Sequence, residues 1–128
     1  MTRKAFMAPG ASTAGPYSHA VETDGLVFLS GQTPVDPATG KLVEGSIGDR
    51  TRQCFVNLGA VLKAAGLTFA DVVKCNVFLT DMSNFDGMNE VYAQFFEKPY
   101  PARSTIGVAS LPRGASVEIE LIARRSGG

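Results

Sequence analysis

Apolar and polar positions alternate along the chain in stretches that define its elements. Val21 and the run Leu26 to Ser30 read as two strands, joined at Thr23-Asp24-Gly25 by the Asp-Gly signal of a tight hairpin. Residues 3–6 offer a short edge strand. Pro34 to Gly45, punctuated by Asp36-Pro37 and Thr39-Gly40, reads as a loop with its own turns. From Ser46 the pattern turns helical. Ile47, Cys54, Leu58, Val61, Leu62 and Ala65 recur at helical intervals, Ser46 and Asp49 have capping-box spacing, and Gly66 supplies a left-handed stop. The spacing predicts a helix over 47–65.

Asp71 to Thr80 reads as a central strand, with Val73, Cys75, Val77 and Leu79 on one face and Val72, Lys74, Asn76, Phe78 and Thr80 on the other. Ser83 and Asp86 repeat the capping spacing and open a second helix, whose stripe is Phe85, Met88, Tyr92, Phe95 and Phe96. Lys98-Pro99 ends it. Pro101 introduces a strand over 102–108, and Ser110 to Gly114 form a loop before a last strand over 117–124. The order β-β-α-β-α-β-β predicts an α+β fold, one mixed sheet with both helices on one face. Two helices cover only one face of such a sheet, so the other calls for a partner, most simply further copies of the chain.

At 128 residues the chain is read as a single domain, 1–128, able to bury a core without disulfides or metal. Lys+Arg and Asp+Glu both number 12, which removes the electrostatic argument for a nucleic-acid or anionic-membrane partner. No apolar run is long enough to span a bilayer, and no apolar h-region follows the basic start Met1-Thr2-Arg3-Lys4, so a cytoplasmic location is expected. Cys54 and Cys75 fall on apolar faces and read as buried free thiols. His19 is the only histidine and has no companions for a zinc site.

Chemistry concentrates near the C-terminus. On the 102–108 strand Arg103, Thr105 and Gly107 share a face, opposite the more apolar Ser104, Ile106 and Val108. On the last strand Glu118 and Glu120 share a face, with Val117, Ile119 and Leu121 toward the core. Arg103 and the two glutamates are expected to meet on the polar side of the sheet, where an arginine can grip a carboxylate in parallel N–H bonds and a glutamate can move a proton on or off water. The same residues also fit a solvated face with a surface salt bridge, worth about 0–1 kcal/mol. A tight hairpin at Pro112-Arg113 would set Arg103 opposite residue 122, nearer Glu120 than Glu118, unless the loop shifts the register or another subunit supplies the partner. Tyr17, after the rigid Gly15-Pro16 turn, fits either a ligand contact or a core tether. Gly31, closing the Leu26 strand, suits either close approach of a ligand or a bulge. Asn89 lies beside the apolar stripe of the second helix, as a polar surface residue or a ligand contact.

Together these segments resemble the RidA (YjgF) family of imine deaminases, also called endoribonuclease L-PSP. The resemblance runs through Ala14-Gly15-Pro16-Tyr17-Ser18, Ser30-Gly31-Gln32, Asn76 to Met82, Asn89, Tyr92, Pro101-Ala102-Arg103-Ser104, Leu111-Pro112 and Glu118-Ile119-Glu120. It implies a chorismate-mutase-like homotrimer with clefts between subunits, hydrolysing 2-imino acids and their enamine tautomers (2-iminobutanoate, 2-iminopropanoate) to 2-keto acids and ammonia, without metal or cofactor. By motif position Arg103 binds the substrate carboxylate, Glu118 serves the catalytic water, and Tyr17, Gly31, Asn89 and Thr105 line the cleft. Some members carry cysteine where this chain has Thr105. Competing expectations are an endoribonuclease, a non-catalytic trimeric regulator that binds small molecules, and a specialised enamine deaminase of a degradative pathway.

Overall fold

The computed structural model describes residues 3–9 and 15–126. Met1 and Thr2 of the basic start and Ala14 of the first family segment lie outside them. The elements are β1 (Lys4–Phe6), β2 (Ala20–Thr23), β3 (Leu26–Gln32), β4 (Val35–Asp36), β5 (Lys41–Leu42), α1 (Ile47–Ala64), β6 (Val72–Leu79), α2 (Phe85–Phe95), β7 (Ala102–Gly107) and β8 (Val117–Arg124). A six-stranded sheet runs β1-β2-β3-β8-β6-β7; only β6 and β7 pair in parallel. The α+β reading holds, and both helices pack on one face.

The hairpin between β2 and β3 turns at Asp24 and Gly25, with φ of 50° and 78°, the backbone that Asp-Gly favours. Helix α1 opens on the expected capping box: Ser46 accepts from the Asp49 N–H and Asp49 accepts from the Ser46 N–H. Its apolar stripe packs on Val27, Leu29, Cys75, Val77, Leu79 and the inward residues of β8, and α2 adds Met88, Tyr92 and Phe96. Phe55 holds the helix layer to its neighbours, stacking on Phe95 at 4.7 Å between centroids and meeting Phe69, Tyr92 and Phe96 edge-on. Arg125 closes the far end, gripping both oxygens of Glu22 at 2.9 Å and donating to the Ala65 carbonyl at the end of α1.

Four expectations need correction. The 34–45 loop contains the small hairpin β4–β5, turned by Gly40 N–H on the Asp36 carbonyl and anchored from below by Asn57, which donates to the Thr33 and Val35 carbonyls. In β6 a bulge between Val72 and Lys74 turns Val72 into the core and leaves Val73 44% exposed, reversing their predicted faces. Ser83 does not cap α2: Asp81 accepts from the Ser83 N–H, starting a 3-10 turn (Met82–Asn84) that runs on into the helix. Finally, β7 and β8 form no hairpin. The chain leaves the edge strand β7, crosses β6 and inserts β8 beside β3, because the β6-α2-β7 crossover has already placed β7 outside β6.

His19 is buried, its Nδ1 accepting the Ala8 N–H at 3.0 Å, which ties the β1 arm to β2. Cys54 and Cys75 are buried free thiols. Burial pushes the Cys75 thiol up to about 12 and raises Cys54 further, which keeps both protonated and unreactive. Cys54→Ser or Cys75→Ser should therefore cost about 1–3 kcal/mol of stability through a hydroxyl placed in an apolar site. Chemical denaturation should record that loss while turnover per folded molecule stays near wild type; abolished turnover in a fully folded variant would contradict the structural role.

Candidate active site

Strand pairing decides which side of the sheet each candidate faces. Cys75 pairs with Arg103 on one side and Leu121 on the other, and Val77 pairs with Thr105 and Ile119. Cys75, Val77, Ile119 and Leu121 form the floor beneath the helices, so Arg103 and Thr105 point to the helix-covered face. Glu118 pairs with Phe78, and Glu120 with Asn76, on the opposite, open face. The expectation that Arg103 meets the glutamates on one polar face is thus overturned. The insertion of β8 inside β6 places a strand between them, and the side of β7 that carries Arg103 lies against α2 instead of on the open face.

Two half-sites result. In the first, the Arg103 guanidinium lies over the Tyr92 ring at 4.5 Å and near Phe85 at 5.5 Å, and Nη1 donates to Asn89 Oδ1 at 2.6 Å. Phe85, Asn89 and Tyr92 recur at i, i+4, i+7 along α2, so one helix face forms the whole cradle. Among the described residues no carboxylate forms an ion pair with Arg103, which leaves its charge available to an anion. A hollow of about 300 Å³ beside it is lined by Asn89, Tyr92, Tyr100 and Pro101. Thr105, two residues along β7, has a buried Oγ1 with no hydrogen-bond partner among the described residues.

In the second half-site, Glu118 faces a cleft of about 490 Å³ lined by Tyr17, Ser30, Gly31, Thr33, Pro112 and Arg113. Tyr17 is 45% exposed at its rim, so it is not a core tyrosine. Gly31 sits where the β3–β8 register shifts between Leu29 and Gln32, so the bulge is real. The neighbour that approaches Gly31 closely is Glu118: a Cβ on Gly31 would stand 2.9 Å from both Cδ and Oε2 of its side chain. Burial first, then the like charge of Glu120, raises the Glu118 carboxyl above the usual carboxylate range. Glu120 itself accepts from Asn76 Nδ2 at 3.2 Å. Among the described residues no three His, Cys, Asp or Glu side chains cluster as metal ligands.

Gly31→Ala carries a specific expectation. The clash falls on the flexible end of Glu118 rather than on backbone. The fold should survive with little change in melting temperature, while activity falls at least about tenfold as the carboxylate is displaced, because small misplacements of a reacting group are costly. Wild-type kinetics in Gly31→Ala would separate Gly31 from the chemistry.

The family model described as endoribonuclease L-PSP matches residues 7–125. The chain belongs to that family. Its RidA-type relatives include the human 2-iminobutanoate/2-iminopropanoate deaminase, 46% identical over 116 residues, covering 91% of this chain and 83% of the human one. Protein DfrA of Myxococcus xanthus is 48% identical over 126 residues, covering 96% of each chain. The crystal structure of RidA from an Antarctic Psychrobacter superposes with a TM-score of 0.90 at 43% identity, covering 94% of this chain and 98% of that one. Sequence reasoning singled out Arg103, Glu118, Tyr17, Gly31, Asn89 and Thr105 as candidates, and the fold divides them: Arg103, Asn89 and Thr105 on the helix side, Glu118, Gly31 and Tyr17 on the open side. It passed over Phe85 and Tyr92 as core stripe, and their i, i+4, i+7 relation to Asn89 was the signal that tied them to Arg103.

Proposed function

We propose that this protein is an enzyme that hydrolyses 2-imino acids, such as 2-iminobutanoate and 2-iminopropanoate, to 2-keto acids and ammonia. The sites lie between copies of the chain in a homotrimer of chorismate-mutase-like subunits, Arg103 coming from one subunit and Glu118 from the next. One observation carries the reading: an arginine with no carboxylate partner among the described residues and a glutamate whose carboxyl burial raises, each in its own hollow, stand on opposite faces of one chain. A four-carbon substrate spans neither the sheet nor the intervening strand, so two chains are needed to close one site around it. The open face supports association, since Leu26, Phe28 and Ile106 are 39%, 42% and 47% exposed there. The name of the human relative supports the substrate class.

The chemistry follows from these groups. Arg103, held flat on Tyr92 and squared by Asn89, takes the substrate carboxylate and fixes C2, so that attack by water becomes an oriented step. The Glu118 carboxylate takes a proton from that water as its oxygen bonds to C2 of the protonated imine. The resulting carbinolamine receives that proton at nitrogen and the C–N bond breaks; the C2 hydroxyl passes its remaining proton through Glu118 to the departing ammonia, which leaves as ammonium as the oxygen becomes a carbonyl. Glu118 ends as it began. The Gly31 backbone and Tyr17 line the cleft around the water, and Thr105 offers its unpartnered hydroxyl beside the carboxylate.

The test is the decay of 2-iminobutanoate, generated in situ by a threonine dehydratase, with and without the protein. Accelerated formation of keto acid supports the reading. No acceleration by a trimeric preparation would overturn it.

A further inference from the structure

The Glu118 cleft has a second charged wall. Its rim is formed by Pro112 and Arg113, in the loop that leads into β8. The Ala115 N–H closes on the Pro112 carbonyl at 3.1 Å, and the two residues between, Arg113 and Gly114, have φ of 62° and 74°. Positive φ at both central positions is the backbone of a type I′ turn, which favours Asn, Asp or Gly at the first of them. Arginine there is strained, since its Cβ crowds the backbone in the left-handed region. Strained residues of this kind concentrate at functional sites, where the surrounding structure holds them.

The Arg113 guanidinium is not engaged elsewhere. It is exposed, and among the described residues it makes no hydrogen bond and no ion pair. Among the described residues Arg113 forms no ion pair with Glu118. The cleft of about 490 Å³ is that of one chain, and on the reading above a second copy closes it around the substrate. Arg103 is committed to another hollow and, on the reading above, to the carboxylate next to the imine. Arg113, which lines the Glu118 cleft, is thus a second cation of the site, separate from Arg103.

We propose that Arg113 forms a subsite for a second anionic group, extending the substrates of this site to imino acids that carry a side-chain carboxylate. The proposal rests on the imine-hydrolysis reading and deepens it. Substrates of this class arise when an acidic amino acid loses two electrons and two protons at its Cα–N bond. The reaction that follows is unchanged: water adds to C2, ammonia leaves, and a dicarboxylic keto acid is formed. Arg113 takes part in no bond making or breaking. Its planar fork matches the distal carboxylate in two parallel N–H bonds.

The experiment compares kcat/KM for 2-iminoglutarate, generated from L-glutamate by an amino-acid oxidase with catalase present, and for 2-iminobutanoate. Wild type, Arg113→Asn and Arg113→Lys are measured with both. In Arg113→Asn the ratio of dicarboxylic to monocarboxylic kcat/KM should fall about ten- to a hundredfold, as expected for loss of a charge-assisted pair. Arg113→Lys should restore part of that ratio, since it keeps the charge in an equally strained turn. Arg113→Asn should also melt no lower than wild type, because asparagine suits this turn. A ratio within twofold of wild type would overturn the subsite. Equal loss toward both imines would overturn it as well, by assigning Arg113 to the carboxylate the two substrates share. Wild-type turnover of neither imine would overturn the imine reading and the subsite with it.

Discussion

Arg103→Ala should abolish acceleration of 2-iminobutanoate hydrolysis, with kcat/KM down by about a hundredfold or more, while the protein keeps its fold and its assembly. The large effect follows from the setting. The guanidinium is the group of the Asn89 half-site with a free charge, and its loss removes both the ionic grip on the carboxylate and the orientation of C2, effects that together reach several kcal/mol. The small structural effect follows as well. Arg103 lies on an edge strand and contributes a stacking contact on Tyr92 and one hydrogen bond to Asn89, while the core beneath it is made by Cys75 and Leu121. The measurement is a coupled decay assay alongside thermal unfolding. Undiminished turnover in a folded Arg103→Ala protein would remove the carboxylate clamp from the mechanism. Arg103→Lys should recover only part of the loss, since an ammonium neither stacks on Tyr92 nor forms the bidentate fork.

Glu118→Gln should remove turnover by about a hundredfold or more and leave keto-acid binding largely intact, because the amide keeps the shape of the side chain and loses only its capacity to take a proton. The pH dependence has a definite sign. Burial and Glu120 raise the Glu118 carboxyl, so its basic form is lost on acidification at a higher pH than an ordinary glutamate would require. The acid limb of the rate profile should sit above the usual carboxylate range, and Glu120→Gln should move it down. Linkage gives a second sign. A carboxyl whose pKa is higher in the folded protein binds more protons there than in the unfolded chain, so stability falls as pH rises through the folded value. Glu118→Gln should therefore melt at or above the wild-type temperature at neutral pH. A clear loss of stability would mean that Glu118 serves the fold rather than the site. Calorimetric binding of 2-oxobutanoate separates the two roles of the variant.

Local signals in the sequence were sufficient for the two helices and the six strands of the main sheet, and they named the candidate residues of the site. The Ser46–Asp49 box defines the start of α1, and apolar-polar alternation from Val117 to Leu121 marks β8. The bulge at Val73 was not legible, because one inserted residue leaves the apolar composition of β6 intact while exchanging the faces of Val72 and Val73. The side to which Arg103 points was hidden for a different reason. Arg103, Thr105 and Gly107 form the more polar side of β7, and polarity ordinarily marks the outward face. Here the edge strand runs beside α2, and Asn89, Tyr92 and Phe85 receive the Arg103 side chain under the rim of the helix. Which face is inner depends on the neighbour of β7, and that neighbour is a distant segment. The family motif named Arg103 and Glu118 together, and only the pairing of both strands to β6 places them on opposite faces.

That separation is also what makes the shared site testable in one measurement. Arg103→Ala and Glu118→Gln subunits, each inactive alone, can be unfolded together and reassembled at equal amounts. If each site takes Arg103 from one chain and Glu118 from another, random mixing in a closed ring leaves about a quarter of the sites with both groups intact, and activity should return to about that fraction of wild type. Reassembled mixtures as inactive as the separate variants, in oligomers verified to contain both chains, would contradict a site shared between subunits.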